Sequence, residues 1–213
     1  MPRITLQEKT RSTRGVVRSA VGVKSWAEKT PSVETLRPAY CPACLSPSRP
    51  VGEGLVLYGH GLRDRQLWGP PEPNAPPAAR VVQVRRYECQ ACGAVTVVVP
   101  AETLTKRLYS AAAVAWALAL FGLALLSPSA IRELVSPWRV LGNASAPRWV
   151  TLFRWCAAAA EGRLFRAVRN LPASGSARQV AEAVAVAVGA HALPSPEPPS
   201  LLVLAFLGAA RTP

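Results

Sequence analysis

Two short cysteine pairs constrain this chain more than anything else in it. They are Cys41-Pro42-Ala43-Cys44 and Cys89-Gln90-Ala91-Cys92, the second followed by Gly93. Two residues between thiolates let both sulfurs reach one ion from a tight turn. Two such pairs supply a tetrahedral set of four cysteines, the closed arrangement of a structural Zn²⁺ site. The 44 residues between the pairs exceed the spacing of a short zinc finger, so a hairpin and an insert must return the chain to the ion. Gly93 suits a turn of positive φ. A redox dithiol would not explain two pairs flanking strand-like segments, and neither pair sits in a thioredoxin-like βαβ pattern. The reading is one structural Zn²⁺ held by Cys41, Cys44, Cys89 and Cys92. With the tetrahedron filled, His60 is read as a turn residue or a phosphate contact. Cys156, among apolar residues, is read as a core thiol.

Composition then removes function classes. Lys and Arg number 25 against 12 Asp and Glu, a net charge of +13, which points to polyanionic company. Asp64 is the only aspartate, and after residue 109 the carboxylates are Glu133, Glu161, Glu182 and Glu197. Two-metal nucleases and DDE-type transposases need several converging carboxylates, which this set does not provide. No His accompanies Cys156 and no Ser-His-Asp set is visible, so the chain reads as non-enzymatic. No apolar run of signal-peptide length opens the sequence, so reduced thiols in a bacterial cytoplasm are expected.

Charge and punctuation divide the chain into a basic, mostly disordered arm (1–38), a zinc ribbon with a proline-rich insert (39–107), a helical, helix-turn-helix-like domain (108–170) and neutral C-terminal helices (171–213). Strands are predicted at Val51–Tyr58, Arg80–Cys89 and Ala94–Val99. The prolines between Gly69 and Pro77 make a loop, because proline cannot donate to a ladder. Helices are predicted at 111–126 after Ser110, at 128–135 after Ser127-Pro128, at about 148–168 after Ser145 and Pro147, at 180–190 after the Ser176/Gln179 capping box, and at 201–210. A short helix within 16–27 is also compatible with the arm. The fold class is α+β: a small ribbon of short antiparallel strands, then a helical bundle able to contain a helix-turn-helix.

Arg63, Arg65, Arg85 and Arg86 fall on the ribbon, where they can follow a phosphate backbone. In the third long helix, Trp149, Leu152, Phe153, Cys156 and Ala160 make a core stripe. Arg148, Thr151 and Arg154 fall off that stripe near the helix start, where a recognition helix offers polar groups to a groove. Ala111–Leu126 is sixteen residues without a charge. A spanning helix needs about twenty, so it is read as a core helix, with a membrane anchor as the competing reading.

The order Cys-Pro-x-Cys, His60-Gly61-x-Arg63-x-Arg65, Arg85-Arg86-Tyr87-x-Cys89-x-x-Cys92-Gly93, an Ala-rich helix and Ser145-x-Pro147-x-Trp149 with Trp155 resembles the zinc-ribbon plus helix-turn-helix N-terminal region of bacterial insertion-sequence transposases. It is also similar to small stand-alone bacterial proteins of that build. The resemblance covers about residues 39–170. It implies binding of double-stranded DNA in the nucleoid, alone, as a homo-oligomer or beside a transposase, as accessory, regulator or remnant. It does not imply strand transfer, because the acidic metal ligands of the transposase catalytic domain have no counterpart here. A membrane-tethered ribbon and a protein-interaction ribbon are the alternative functions.

Overall fold

The computed structural model describes residues 15–138, 149–169, 171, 175–197 and 199–212. Among them are four strands and six helices: β1 (Gly15–Arg18), α1 (Val23–Glu28), β2 (Leu57–Gly69), β3 (Ala78–Cys89), β4 (Val95–Val99), α2 (Ala111–Gly122), α3 (Pro128–Val135), α4 (Val150–Ala160), α5 (Ala177–Gly189) and α6 (Leu201–Gly208). The chain is mixed α+β. It forms two compact units, Met1–Arg65 with Val82–Pro100, and Gln66–Val81 with Ala101–Pro213. The division differs from the four segments read in the sequence. The arm shares one unit with residues 39–65 and 82–100 of the ribbon, and the other unit takes residues 66–81 and 101–107 together with both helical segments.

In the first unit the sheet order is β1-β4-β3-β2. β1 runs parallel to β4, Gly15 beside Thr96, and β4 pairs antiparallel with Arg85–Glu88 of β3. Residues 15–38 are therefore not a disordered arm. Val23, Trp26 and Leu36 are buried, the Trp26 indole donates to the Gln83 carbonyl at 2.7 Å, and the Tyr87 hydroxyl donates to the Val33 carbonyl at 2.7 Å. Three irregularly spaced apolar side chains among many charges leave no period to read, yet they are enough to seat the segment. The first predicted strand is also displaced. Residues 51–54 are exposed turn, with Gly52 at φ +78, and β2 runs on through the charged stretch to Gly69. Pairing with β3 rather than hydrophobic alternation holds it. The proline-rich stretch does connect β2 to β3, as expected.

In the second unit all twelve residues of α2 are buried. Its alanines leave room for α3, α4, α5 and α6, which all pack on it. At Gly122 the approach to α5 is close enough that a Cβ would lie 2.3 Å from the Glu182 backbone nitrogen. Ser110 caps α2 through the Ala113 N–H, Ser127 caps α3 with Pro128 in its first turn, and Ser176 and Gln179 form the reciprocal capping box of α5, all as the sequence predicts. α2 stops at Gly122, four residues short of the prediction. The backbone leaves the helix at left-handed Leu125, with Leu126 N–H reaching back to the Leu120 carbonyl at 3.1 Å, and the Arg178 guanidinium caps this end by donating to the Phe121 and Leu126 carbonyls at 2.6 and 3.3 Å. No helix among the described residues is long and apolar enough to cross a membrane.

α4 is shorter than predicted, ending at Ala160 because Gly162 turns the chain at φ +66. Its buried stripe is rotated from the expected one. Leu152, Trp155, Cys156, Ala158 and Ala159 are buried, whereas Phe153 and Ala160 are exposed. Trp155 draws the stripe round, because its ring and those of Trp149 and Trp68 pack edge-on against Tyr109, at 5.0, 6.0 and 5.4 Å. The Tyr109 hydroxyl reaches Ser136 Oγ at 3.0 Å. The predicted helix opening at Ser145, Pro147 and Arg148 lies outside the described residues.

Candidate metal centre and basic surface

The two cysteine pairs fold into the same turn. Cys41 N–H donates to the Ser46 carbonyl at 2.9 Å, and Leu45 N–H donates back to the Cys41 carbonyl at 2.8 Å. Cys89 N–H donates to Ala94 at 3.0 Å, and Gly93 N–H to Cys89 at 2.7 Å. The fourth residue after the first cysteine is left-handed in both turns, Leu45 at φ 61 and Gly93 at φ 70. The sequence revealed only the glycine.

The four sulfurs lie within 4.8 Å of one another, with Cys41 to Cys92 at 3.8 Å and Cys44 to Cys89 at 3.7 Å. Thiolates at about 2.3 Å from a central zinc would be about 3.8 Å apart in a regular tetrahedron, so the donor set fits one metal ion. Cys41 and Cys89 are buried, while Cys44 and Cys92 are exposed. Hydrogen bonding to Ser46 holds the Cys44 thiol down at about 6. Desolvation, reinforced by the other three sulfurs, pushes Cys92 up to about 12. The set does not ionise completely without a cation at its centre. His60 is not part of it. Its Nδ1 pairs with Glu88 Oε2 at 3.0 Å, from β2 to β3. Cys156 is buried in the second unit, which pushes its thiol up to about 11.

No protein-family model, curated protein or solved structure matches this chain. What the remaining residues do has to be read from their placement. Arg63 is exposed and Arg65 half-buried on β2, one of the two edge strands of the sheet. Burial lowers the basicity of Arg65, and the charge of Arg63 lowers it further. Arg85 and Arg86 are consecutive on β3 and so point to opposite faces. Arg85 Nε donates to the Pro31 carbonyl, a contact that fastens the segment after α1 to the sheet. The four ribbon arginines therefore do not form one row.

In the second unit Arg154 is exposed and Thr151 half-buried on α4, and Arg148 lies outside the described residues. The rest of the exposed face of α4 is Val150, Phe153, Ala157 and Ala160, which is poor in groups able to read base edges. In the sequence Arg163, Arg166 and Arg169 continue the positive charge of the third long helix; in the structure they are exposed beyond the end of α4. There they alternate with the apolar Leu164, Phe165 and Val168.

Proposed function

We propose that the four-cysteine set holds one structural Zn²⁺ and that the protein is a non-catalytic, cytoplasmic binder of duplex DNA. In this reading the zinc closes the ribbon, and Arg63, Arg65 and Arg86 contact phosphates. Arg85 chiefly holds the ribbon together, and Arg154 contributes from α4. Zinc suits an all-sulfur tetrahedral donor set. The observation that supports the DNA partner best is exposed Arg63 on a sheet edge, in a chain of net charge +13. Phosphate contacts of this kind give affinity without sequence preference. The finer part of the reading is a relation to transposase DNA-end-binding regions, with α3 and α4 as a helix-turn-helix and a role as accessory or regulator.

The test is an anisotropy titration of the zinc-loaded chain with fluorescent duplex DNA over a series of salt concentrations. Binding that weakens steeply with salt supports the proposal, and no binding at low salt ends it. A second reading, a protein-interaction ribbon, draws on Tyr40, Leu45 and Val51, exposed apolar side chains on or near the first cysteine turn. It predicts zinc without DNA affinity.

A further inference from the structure

Arginines in the second unit fall into two kinds. Arg178 serves the fold. It closes the carbonyl end of α2 and lies 4.3 Å over the Phe121 ring. Arg163, Arg166 and Arg169 follow the end of α4, where a cation would ordinarily be explained by the exposed carbonyls and the helix dipole. That explanation is already used up here. The Ala157 carbonyl accepts from Glu161 N–H at 3.0 Å, Ala159 from Gly162 at 2.9 Å, and Ala158 from both Arg163 and Leu164 at 2.8 and 3.0 Å. The backbone caps the helix without any guanidinium.

The turn that carries these arginines is rigidly seated. Leu164, Phe165 and Val168 are buried, and Val168 N–H closes on the Phe165 carbonyl at 2.9 Å. Arg163, Arg166 and Arg169, at three-residue intervals, are left exposed. Arg163 pairs with Glu161, two residues away, with both side chains more than half exposed, and such pairs contribute little. Arg166 and Arg169 have no ion-pair partner among the described residues. Glu182 lines the same depression as Arg169.

A second basic segment belongs to the same unit. Lys106 is exposed at φ 60, and the loop bearing it is closed by Ala111 N–H on the Glu102 carbonyl at 2.7 Å. Burial lowers the basicity of Arg107 beside it, and the charge of Arg163 lowers it further. An anion beside the exposed Arg163, Arg166 and Arg169 is attracted by all three charges.

We infer that the turn Arg163–Arg169 is the phosphate-contacting surface of the second unit and grips the backbone of duplex DNA. This rests on the DNA-binding reading above. It moves the main contact of this unit from the first turn of α4 to the turn after its last residue. Contacts to phosphate alone make this surface indifferent to sequence.

The experiment uses the full zinc-loaded chain and a labelled duplex, with affinity measured by anisotropy across a salt series. The variants are Arg163→Gln/Arg166→Gln/Arg169→Gln, the single Arg166→Gln, the ribbon variant Arg63→Gln, and the charge control Lys24→Gln/Lys29→Gln. Each lost phosphate contact lowers the log–log salt slope by about 0.9. The triple variant is expected to lower it by two to three such steps (~2–3) and Arg166→Gln by about one step, with thermal unfolding unchanged and the charge control close to wild type. If the triple variant misfolds, Arg166→Gln alone decides. Wild-type slopes in the triple variant or in Arg166→Gln, with Arg63→Gln weakened, overturn the inference and leave the DNA reading standing. Absence of wild-type binding at low salt overturns both.

Discussion

Leu45 and Gly93 occupy the same place in the two cysteine turns, each donating its N–H to the carbonyl of the first cysteine four residues back, at φ 61 and 70. The turn geometry asks for a left-handed residue, and only one of the two turns has a glycine there. Leucine in that region costs about 1 kcal/mol or more. Its side chain is 73% exposed, so it recovers little of that by burial.

Leu45→Gly is therefore expected to stabilise the first unit by roughly 0.5–1 kcal/mol, and Gly93→Ala to destabilise it by about 1 kcal/mol. Urea unfolding of the zinc-loaded variants, followed by Trp26 fluorescence, measures both. A destabilising Leu45→Gly would mean that the side chain makes a contact worth more than its backbone strain.

Some of this architecture could be read from residue types alone. The four cysteines that could hold a metal announce themselves by spacing, and Ser110, Ser127 and Ser176 mark helix starts because a hydroxyl before an apolar run has one evident use. What escaped depends on distant partners. Trp26 looks like a stray aromatic until Gln83 arrives to accept its N–H. The cap on the end of α2 comes from Arg178, 57 residues beyond Phe121. The buried stripe of α4 follows Trp155 because Tyr109, on a separate loop, packs on it. Among the candidate DNA contacts, Arg85 looked equivalent to Arg86 until the Pro31 carbonyl claimed it.

Arg178→Ala removes two charge-assisted hydrogen bonds to carbonyls and a cation–π contact. It is expected to cost about 2–3 kcal/mol. Arg178→Lys is expected to recover less than half of this, because an ammonium does not provide the planar fork that spans both carbonyls. Thermal or urea unfolding of the two variants gives the comparison, and a full rescue by lysine would contradict the bidentate role.

Gly122→Ala places a Cβ against the backbone of Glu182, with its nitrogen 2.3 Å and its Cα 2.6 Å away. Backbone cannot swing aside as a side chain can, so α2 and α5 must separate. The expected loss is about 1–3 kcal/mol, despite the gain in helix propensity. A neutral or stabilising Gly122→Ala would show that the two helices slide apart freely.

Zinc binding must displace protons, since the ligand form of cysteine is the thiolate. In the metal-free set Cys92 is pushed up to about 12, so it carries its proton at neutral pH and releases it to the metal. Zinc affinity is therefore expected to fall as pH falls, and the stability of the first unit to fall with it. Competition with a chromophoric chelator across a pH series measures the slope. A flat profile between pH 8 and about 6 would contradict thiolate ligation.

The four-cysteine set ties the segment before β2 to the end of β3, and metal stoichiometry tests the proposed zinc there most directly. Native mass spectrometry of protein purified without chelator is expected to find one zinc ion per chain. Cys156→Ser should retain it, and Cys44→Ser and Cys89→Ser should lose it, along with the ordered first unit, because so small a sheet has little core to stand on by itself. A wild-type chain without stoichiometric metal, or zinc that persists in the Cys44→Ser/Cys89→Ser double variant, would contradict it.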